Sequence, residues 1–288
     1  MRLPHYWAKG TVQVRDGQQK LHAFSCWGWS DRSAADAERK GSERAQKVAE
    51  RLLEGSRPDR YLYGDRPLRE EVLEQFEDAQ GVVHAAITRN SYGCRVLNTA
   101  EIVFVDVDLA PPTLGDHIRY GLHRLLGKSI PPPARQRELD AIAKVQSWVN
   151  AEPRCGVRVY RTRAGLRHMF THRQMDPKSE ATVRTMVALG ADPLYLRLCK
   201  EQESFRARLT PKPWRCGVAA PQVRFPWASP QAESRFREWE RDYEARTQRY
   251  ATCELVQEMG NSTVHREIRR VVEIHDRLTK ATSGLPLA

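Results

Sequence analysis

The chain has 288 residues and a mass of 33.1 kDa, with 47 Lys+Arg against 36 Asp+Glu, a formal net charge of +11 and a pI near 9.6. A hydrophobic fraction of 40% can build one or two packed domains and excludes disorder throughout. A mean hydropathy of −0.64, with no apolar run approaching the ~20 residues of a bilayer span, excludes a membrane-spanning protein.

The opening MRLPHYWAKG has no apolar stretch of the secretory kind, so a cytoplasmic location is expected. Segments 11–15 and 21–27 alternate as a hairpin around Asp16-Gly17. Ser30-Asp31 then caps a predicted helix over 33–53, with Ala37, Ala45, Val48, Ala49, Leu52 and Leu53 inward and Gly55 as its stop. A second helix is predicted near 68–78, and 82–88 and 94–97 read as strands joined at Asn90-Ser91-Tyr92-Gly93. These elements form an N-terminal α/β unit over residues 1–100.

From Glu101 the pattern changes. The apolar, β-branched stretch 101–109 predicts a strand ending in two acids, followed by the breaker Pro111-Pro112. Helices are predicted at 114–126 and 135–150, strands at 156–162 and 166–171, helices at 178–190 and 193–202, and a short strand at 205–209. Read in order, this is a βαββαβ unit, which makes residues 101–229 an RNA-recognition-motif-like palm in an α+β protein. Beyond Pro230 a helix over 233–259, carrying Phe236, Trp239, Tyr243 and Tyr250, and another over 264–279 predict a C-terminal helical hairpin, residues 230–288, turning at Gly260-Asn261.

The charge is unevenly placed. Six arginines and no acid lie between Arg154 and Arg173, and Arg206, Arg208, Lys212, Arg215 and Arg224 lie between Ser204 and Ala232, again without an acid. Such density points to a polyanionic partner, because neutralising phosphates and releasing their counterions supplies most sequence-independent nucleic-acid affinity. A solvated basic face is the alternative. The six cysteines are widely spaced with no C-x-x-C pair, which suggests neither a disulfide framework nor a zinc knuckle.

Asp106 and Asp108, two apart on a strand, project from one face. Two carboxylates so close on an apolar segment are costly unless a divalent cation or arginines neutralise them, and hard oxygen donors suit Mg²⁺ or Mn²⁺. His168 follows the tight turn Ala164-Gly165. In a βαββαβ sheet its strand adjoins that of the acids, which is expected to bring His168 beside them, with His172 as its rival. Arg206 and Arg208 share a strand face that can grip successive phosphates, Lys212 follows a Pro-rigidified loop, and Trp214 can stack on a base or pack beneath that loop. Arg163 and Arg167 flank His168.

Val105-Asp106-Val107-Asp108, the later hairpin strand with Gly165 and His168, and the basic strand after it resemble the ordered motifs of the archaeo-eukaryotic primase superfamily, which includes primase-polymerases. The resemblance covers about residues 101–215. It implies metal ligation by Asp106 and Asp108 and nucleotide-phosphate contact by His168. Leu166 stands where the family has a small residue, and Asp192 is the nearest acid to the family's third carboxylate. The resulting expectation is a metal-dependent nucleotidyltransferase acting with nucleoside triphosphates on single-stranded or primer-template DNA, with no membrane partner. A non-catalytic nucleic-acid-binding protein on a primase-like scaffold and a metal-dependent phosphoesterase are the alternatives.

Overall fold

The computed structural model describes residues 1–55 and 66–288. Strands β1 (Tyr6–Arg15) and β2 (Leu21–Ser30), ten residues each, form an antiparallel hairpin longer than the alternation alone predicts. Asp16 fixes its turn by accepting the backbone N–H groups of Gln18 and Lys20 at 2.9 and 3.0 Å. Helix α1 (Ala34–Leu53) is capped by Ser33, whose hydroxyl accepts from Asp36 N at 3.1 Å, and it lies directly on the hairpin. The approach is close enough that a Cβ on Gly28 would sit 1.8 Å from the Ala37 carbonyl oxygen. Only small side chains fit such a contact, so Ala37, Gly41, Ala45 and Ala49 face inward, whereas the expected Leu52 and Leu53 remain exposed.

Residues 71–77 are a strand, β3 (Glu71–Glu77), where a helix was expected. Leu and Glu favour a helix locally, but pairing with β4 (Val83–Arg89) overrides that preference. Strand β5 (Arg95–Thr99) completes the second hairpin, whose turn is held by Asn90 Oδ1 accepting from Tyr92 N and Cys94 N. There follow β6 (Phe104–Asp108), α2 (Leu114–Leu125), α3 (Pro133–Ala151), β7 (Gly156–Thr162), β8 (Gly165–Phe170), α4 (Glu180–Leu189), α5 (Pro193–Gln202) and β9 (Phe205–Arg208). A 3₁₀ turn at Pro213–Cys216 leads to α6 (Pro230–Thr247), β10 (Cys253–Gly260) and α7 (Arg266–Thr279).

The fold is α+β. Its two four-stranded sheets are wholly antiparallel, in the orders β3-β4-β5-β9 and β10-β7-β8-β6. Strand β8 lies between β6 and β7, as the sequence predicted. The expected fourth strand, β9, instead pairs with β5, in the sheet of the N-terminal strands, across the expected division at residue 100. The second sheet takes β10 as its remaining strand. The C-terminal region is therefore not a plain helical hairpin: α6 ends at Thr247, Tyr250 lies outside it, and the alternating segment Cys253–Gly260 pairs with β7. A single apolar core joins the inner faces, with Phe76, Ile87, Leu97 and Phe205 from one sheet, Phe104, Val105 and Met169 from the other, and Ile268 and Val271 from α7.

The two faces of the β6–β8 pair meet different layers. Val105, Val107, Leu166, His168 and Phe170 share the face toward α3, where Phe170 meets Trp148 with ring centroids 5.4 Å apart. Phe104, Asp106, Asp108, Arg167 and Met169 share the other, and Phe104 packs against His275 of α7 at 5.5 Å. Helix α2 is turned inside out. Its Asp116 meets Arg137 of α3 at 2.6 Å, while Leu114, Ile118, Leu122 and Leu125 face outward, Leu125 with 85% of its surface exposed. Among the described residues no helix is long and apolar enough to cross a membrane.

Candidate functional site

The strand β6 runs out between the two sheets, and Tyr195 of α5 clips it to β9. The Tyr195 hydroxyl lies 3.2 Å from the Phe104 carbonyl oxygen and 2.9 Å from that of Arg206, and it accepts the Arg206 N–H at 3.1 Å. Asp106 and Asp108 therefore stand next to the basic end of β9, although about a hundred residues of chain separate them.

Asp108 is exposed and Asp106 keeps 41% of its side chain open to solvent. The residue directly opposite Asp106 on β8 is Arg167, which is buried and forms a two-pronged pair, Nε to Oδ1 at 2.7 Å and Nη2 to Oδ2 at 2.9 Å. Its third nitrogen, Nη1, donates to the Arg208 carbonyl at 3.0 Å, so one guanidinium ties β8, β6 and β9 together. Loss of water around Asp106 pushes its carboxyl up, but the Arg167 charge prevails and holds it below the ordinary carboxylate range.

His168 does not join the acids. Its strand adjoins theirs as expected, but it stands opposite Val105, so its ring points to the other face of the sheet. There it is buried with Nδ1 unpartnered, and burial pushes its pKa down to about 4, leaving it neutral near pH 7. The side chain that shares the acids' face is its neighbour Arg167. His172 lies elsewhere, with Nε2 3.3 Å from Cys155 Sγ.

Asp192 caps α5 by accepting from Tyr195 N at 2.9 Å and does not meet the acid pair. Among the described residues no three His, Cys, Asp or Glu side chains are placed to hold a metal. The donor set at β6 is two carboxylates, one of them gripped by a guanidinium, beside a group of cations. That arrangement does not fit a site for two divalent ions.

The basic residues divide into engaged and open ones. Arg158 pairs with Asp276 at 2.8 Å and with Glu258, and Arg161 pairs with Glu138 at 2.7 Å and with Glu254. Two arginines of a window without acids in sequence are thus neutralised in space by α3, β10 and α7. Arg206, expected to grip phosphate beside Arg208, is buried against Glu70, with Nη2 2.7 and 2.8 Å from the two carboxylate oxygens, and it also donates to Asn98. Thr88 donates to the same carboxylate, which closes the network.

Arg163, Arg208, Lys212 and Arg215 are the open ones. Arg163 is exposed in the β7–β8 turn, and the Arg208 Nε has no hydrogen-bond partner. Partial burial, then the charges of Arg208 and Arg215, push the Lys212 pKa down. Partial burial and the charges of Arg208 and Arg163 do the same to Arg215. Lys212 and Arg215 are therefore held near other cations, and Asp108 is the acid that both of them feel. Trp214 does not pack beneath its loop. It is 50% exposed, meets the edge of the equally open Tyr92 with centroids 5.3 Å apart, and has Lys212 Nζ 5.5 Å from its ring.

Sequence reasoning singled out Arg167, Arg208 and Lys212, which the structure brings near Asp106 and Asp108, and Arg163 and Trp214, which lie beside Arg215 and Lys212. It missed Tyr92, which arrives from the β4–β5 turn with no local signal of a role. It counted Arg215 only as part of a basic window. Compared with known proteins, the chain matches no family model, no curated protein and no solved structure.

Proposed function

We propose that this chain binds nucleic acid, holding the phosphates of a single strand along Arg163, Arg208, Lys212 and Arg215 and stacking a base on Trp214. The observation that carries this reading is that these four cations converge on one rim without an ion-pair partner among the described residues, beside an exposed aromatic pair. Like charges confined together raise each other's free energy, and a polyanion relieves it. Guanidiniums suit the task because they pair with phosphate oxygens through two N–H groups at once and stay charged. Aromatic faces accept any base, which favours a strand with unstacked bases over a closed duplex.

The order β6-β8-β7 with a helical crossover between β6 and β7 supports reading this region as derived from an RNA-recognition-motif-like palm. The binding function is favoured over nucleotidyl transfer because Asp106 is already neutralised by Arg167, and His168 faces away.

Fluorescence anisotropy with a labelled 20-nucleotide single strand, in DNA and RNA versions, tests the proposal. Wild type should bind, and the Lys212→Ala, Arg215→Ala double variant should bind at least tenfold more weakly with an unchanged circular dichroism spectrum. No binding by wild type at low salt, or equal binding by the variant, overturns it. Templated incorporation of nucleoside triphosphates with Mn²⁺, abolished by Asp106→Asn, would replace it with the nucleotidyltransferase reading.

A further inference from the structure

A cavity of about 400 Å³ opens on the outer face of the β3-β4-β5-β9 sheet. Its floor is Val96 with Arg206 and Arg208, and its walls come from α5, the β4–β5 turn, the stretch before β3 and the Arg224-Phe225 segment. This volume lies within the range of pockets that enclose small organic ligands. Two chemistries meet in it. Leu68, Leu198, Phe225 and Tyr92 give an apolar and aromatic wall, while Arg69, Arg208 and Arg224 bring three guanidiniums to the same space.

None of these three arginines has an ion pair among the described residues. Arg69 rests its guanidinium over the Trp27 ring at 4.5 Å, a contact that positions it without cancelling its charge. Its pKa is lowered by partial burial and by the charge of the nearby Arg224, which lines the same cavity. The one acid in the lining, Glu70, is spent on Arg206 and Thr88 and offers nothing to the other arginines.

We infer that this cavity is a binding pocket for a nucleoside phosphate, with the base against the Tyr92, Leu198 and Phe225 wall and the phosphate held by Arg69, Arg208 and Arg224. An apolar ligand would leave three guanidiniums uncompensated, and a bare inorganic anion would leave the apolar wall wet. A nucleotide satisfies both halves. It is either a free nucleotide or the phosphorylated end of a strand, and both present the same chemistry. The pocket adjoins the Lys212 and Arg215 rim and shares Arg208 and Tyr92 with it, whereas Arg69 and Arg224 belong to the pocket and not to the rim.

Isothermal titration with ATP, GTP and pyrophosphate, and anisotropy with 5′-phosphorylated and 5′-hydroxyl oligonucleotides, test the inference on wild type and on the Arg69→Gln, Arg224→Gln double variant. Both substituted residues are exposed, so the variant should fold. If the pocket takes free nucleotide, ATP or GTP binds wild type at least tenfold more tightly than pyrophosphate does, and the variant loses at least tenfold of that affinity. If it takes a strand end, a 5′-phosphate strengthens oligonucleotide binding by at least tenfold in wild type only. In both cases the variant holds the 5′-hydroxyl strand within twofold of wild type, which separates failure of this pocket from failure of the rim. Pyrophosphate binding as tightly as ATP, or wild type responding to neither nucleotides nor the 5′-phosphate, overturns the inference.

Discussion

The rim makes a quantitative prediction about salt. Each phosphate neutralised on a single strand releases counterions worth about 0.7 log units of affinity per log unit of salt. Arg163, Arg208, Lys212 and Arg215 are the open cations, so the strand should show a slope near −3, or about fifty-fold weaker binding between 50 and 200 mM salt. Replacing Lys212 and Arg215 with Ala should halve the slope, leaving a loss of about sevenfold over the same range. Arg158 and Arg161, equally prominent in the sequence, should leave the slope unchanged on replacement because acids already occupy them. Anisotropy titrations at five salt concentrations measure this directly. A wild-type slope shallower than about −1, or the same slope in wild type and in the double variant, would refute the reasoning.

Other consequences can be checked on the unliganded protein. His168 and His275 are buried with pKa values pushed down to about 4 from 6.5, so below pH 6.5 the unfolded chain takes up protons that the native state refuses. Stability should therefore fall as pH drops from 6.5 toward 4, by about 2 kcal/mol per histidine at pH 5, and His168→Leu should remove about half of that pH dependence in urea melts. Arg206→Met leaves the Glu70 carboxylate buried and uncompensated and should cost about 3–5 kcal/mol, whereas the Arg206→Met, Glu70→Leu pair should recover much of the loss in a double-mutant cycle. Leu122→Lys with Leu125→Lys should change stability by less than about 0.5 kcal/mol, because both side chains already face solvent. A fall in melting temperature of several degrees would show that this face of α2 is covered in solution.

What the sequence made legible was local. The Asn90 turn and the tight β7–β8 connection each sit where short-range chemistry put them, whereas the cap of α1 is Ser33 and not Ser30-Asp31. The acid strand was legible too, because an apolar run closing on Asp106 and Asp108 has few other conformations to adopt. What stayed hidden was pairing and parity. Nothing within residues 68–78 reports that β4 will claim them as a strand, and a long helical stripe through Trp239 and Tyr243 masked the alternation from Cys253 onward. At the site, placing two strands side by side does not say which residue stands opposite which. A one-residue difference in register separates His168 from Arg167, and it sends one to the interior and the other to Asp106. The cation count failed for the same reason, since the partners of Arg158 and Arg161 come from distant segments. Tyr92, Arg69 and Arg224 meet only through tertiary structure.

The placement of β9 has a consequence for how the chain is made. Strand β5 finds its outer neighbour only when a segment 108 positions later emerges, and β7 waits 100 positions for β10. Closing loops of that length is slow, and until then both sheets present unpaired edges to whatever else is present. The β1–β2–α1 unit packs mainly on itself and can form early on the ribosome. A chain stalled before residue 205 would thus hold a finished N-terminal hairpin and helix attached to an open, sticky sheet, the kind of intermediate that chaperones retain.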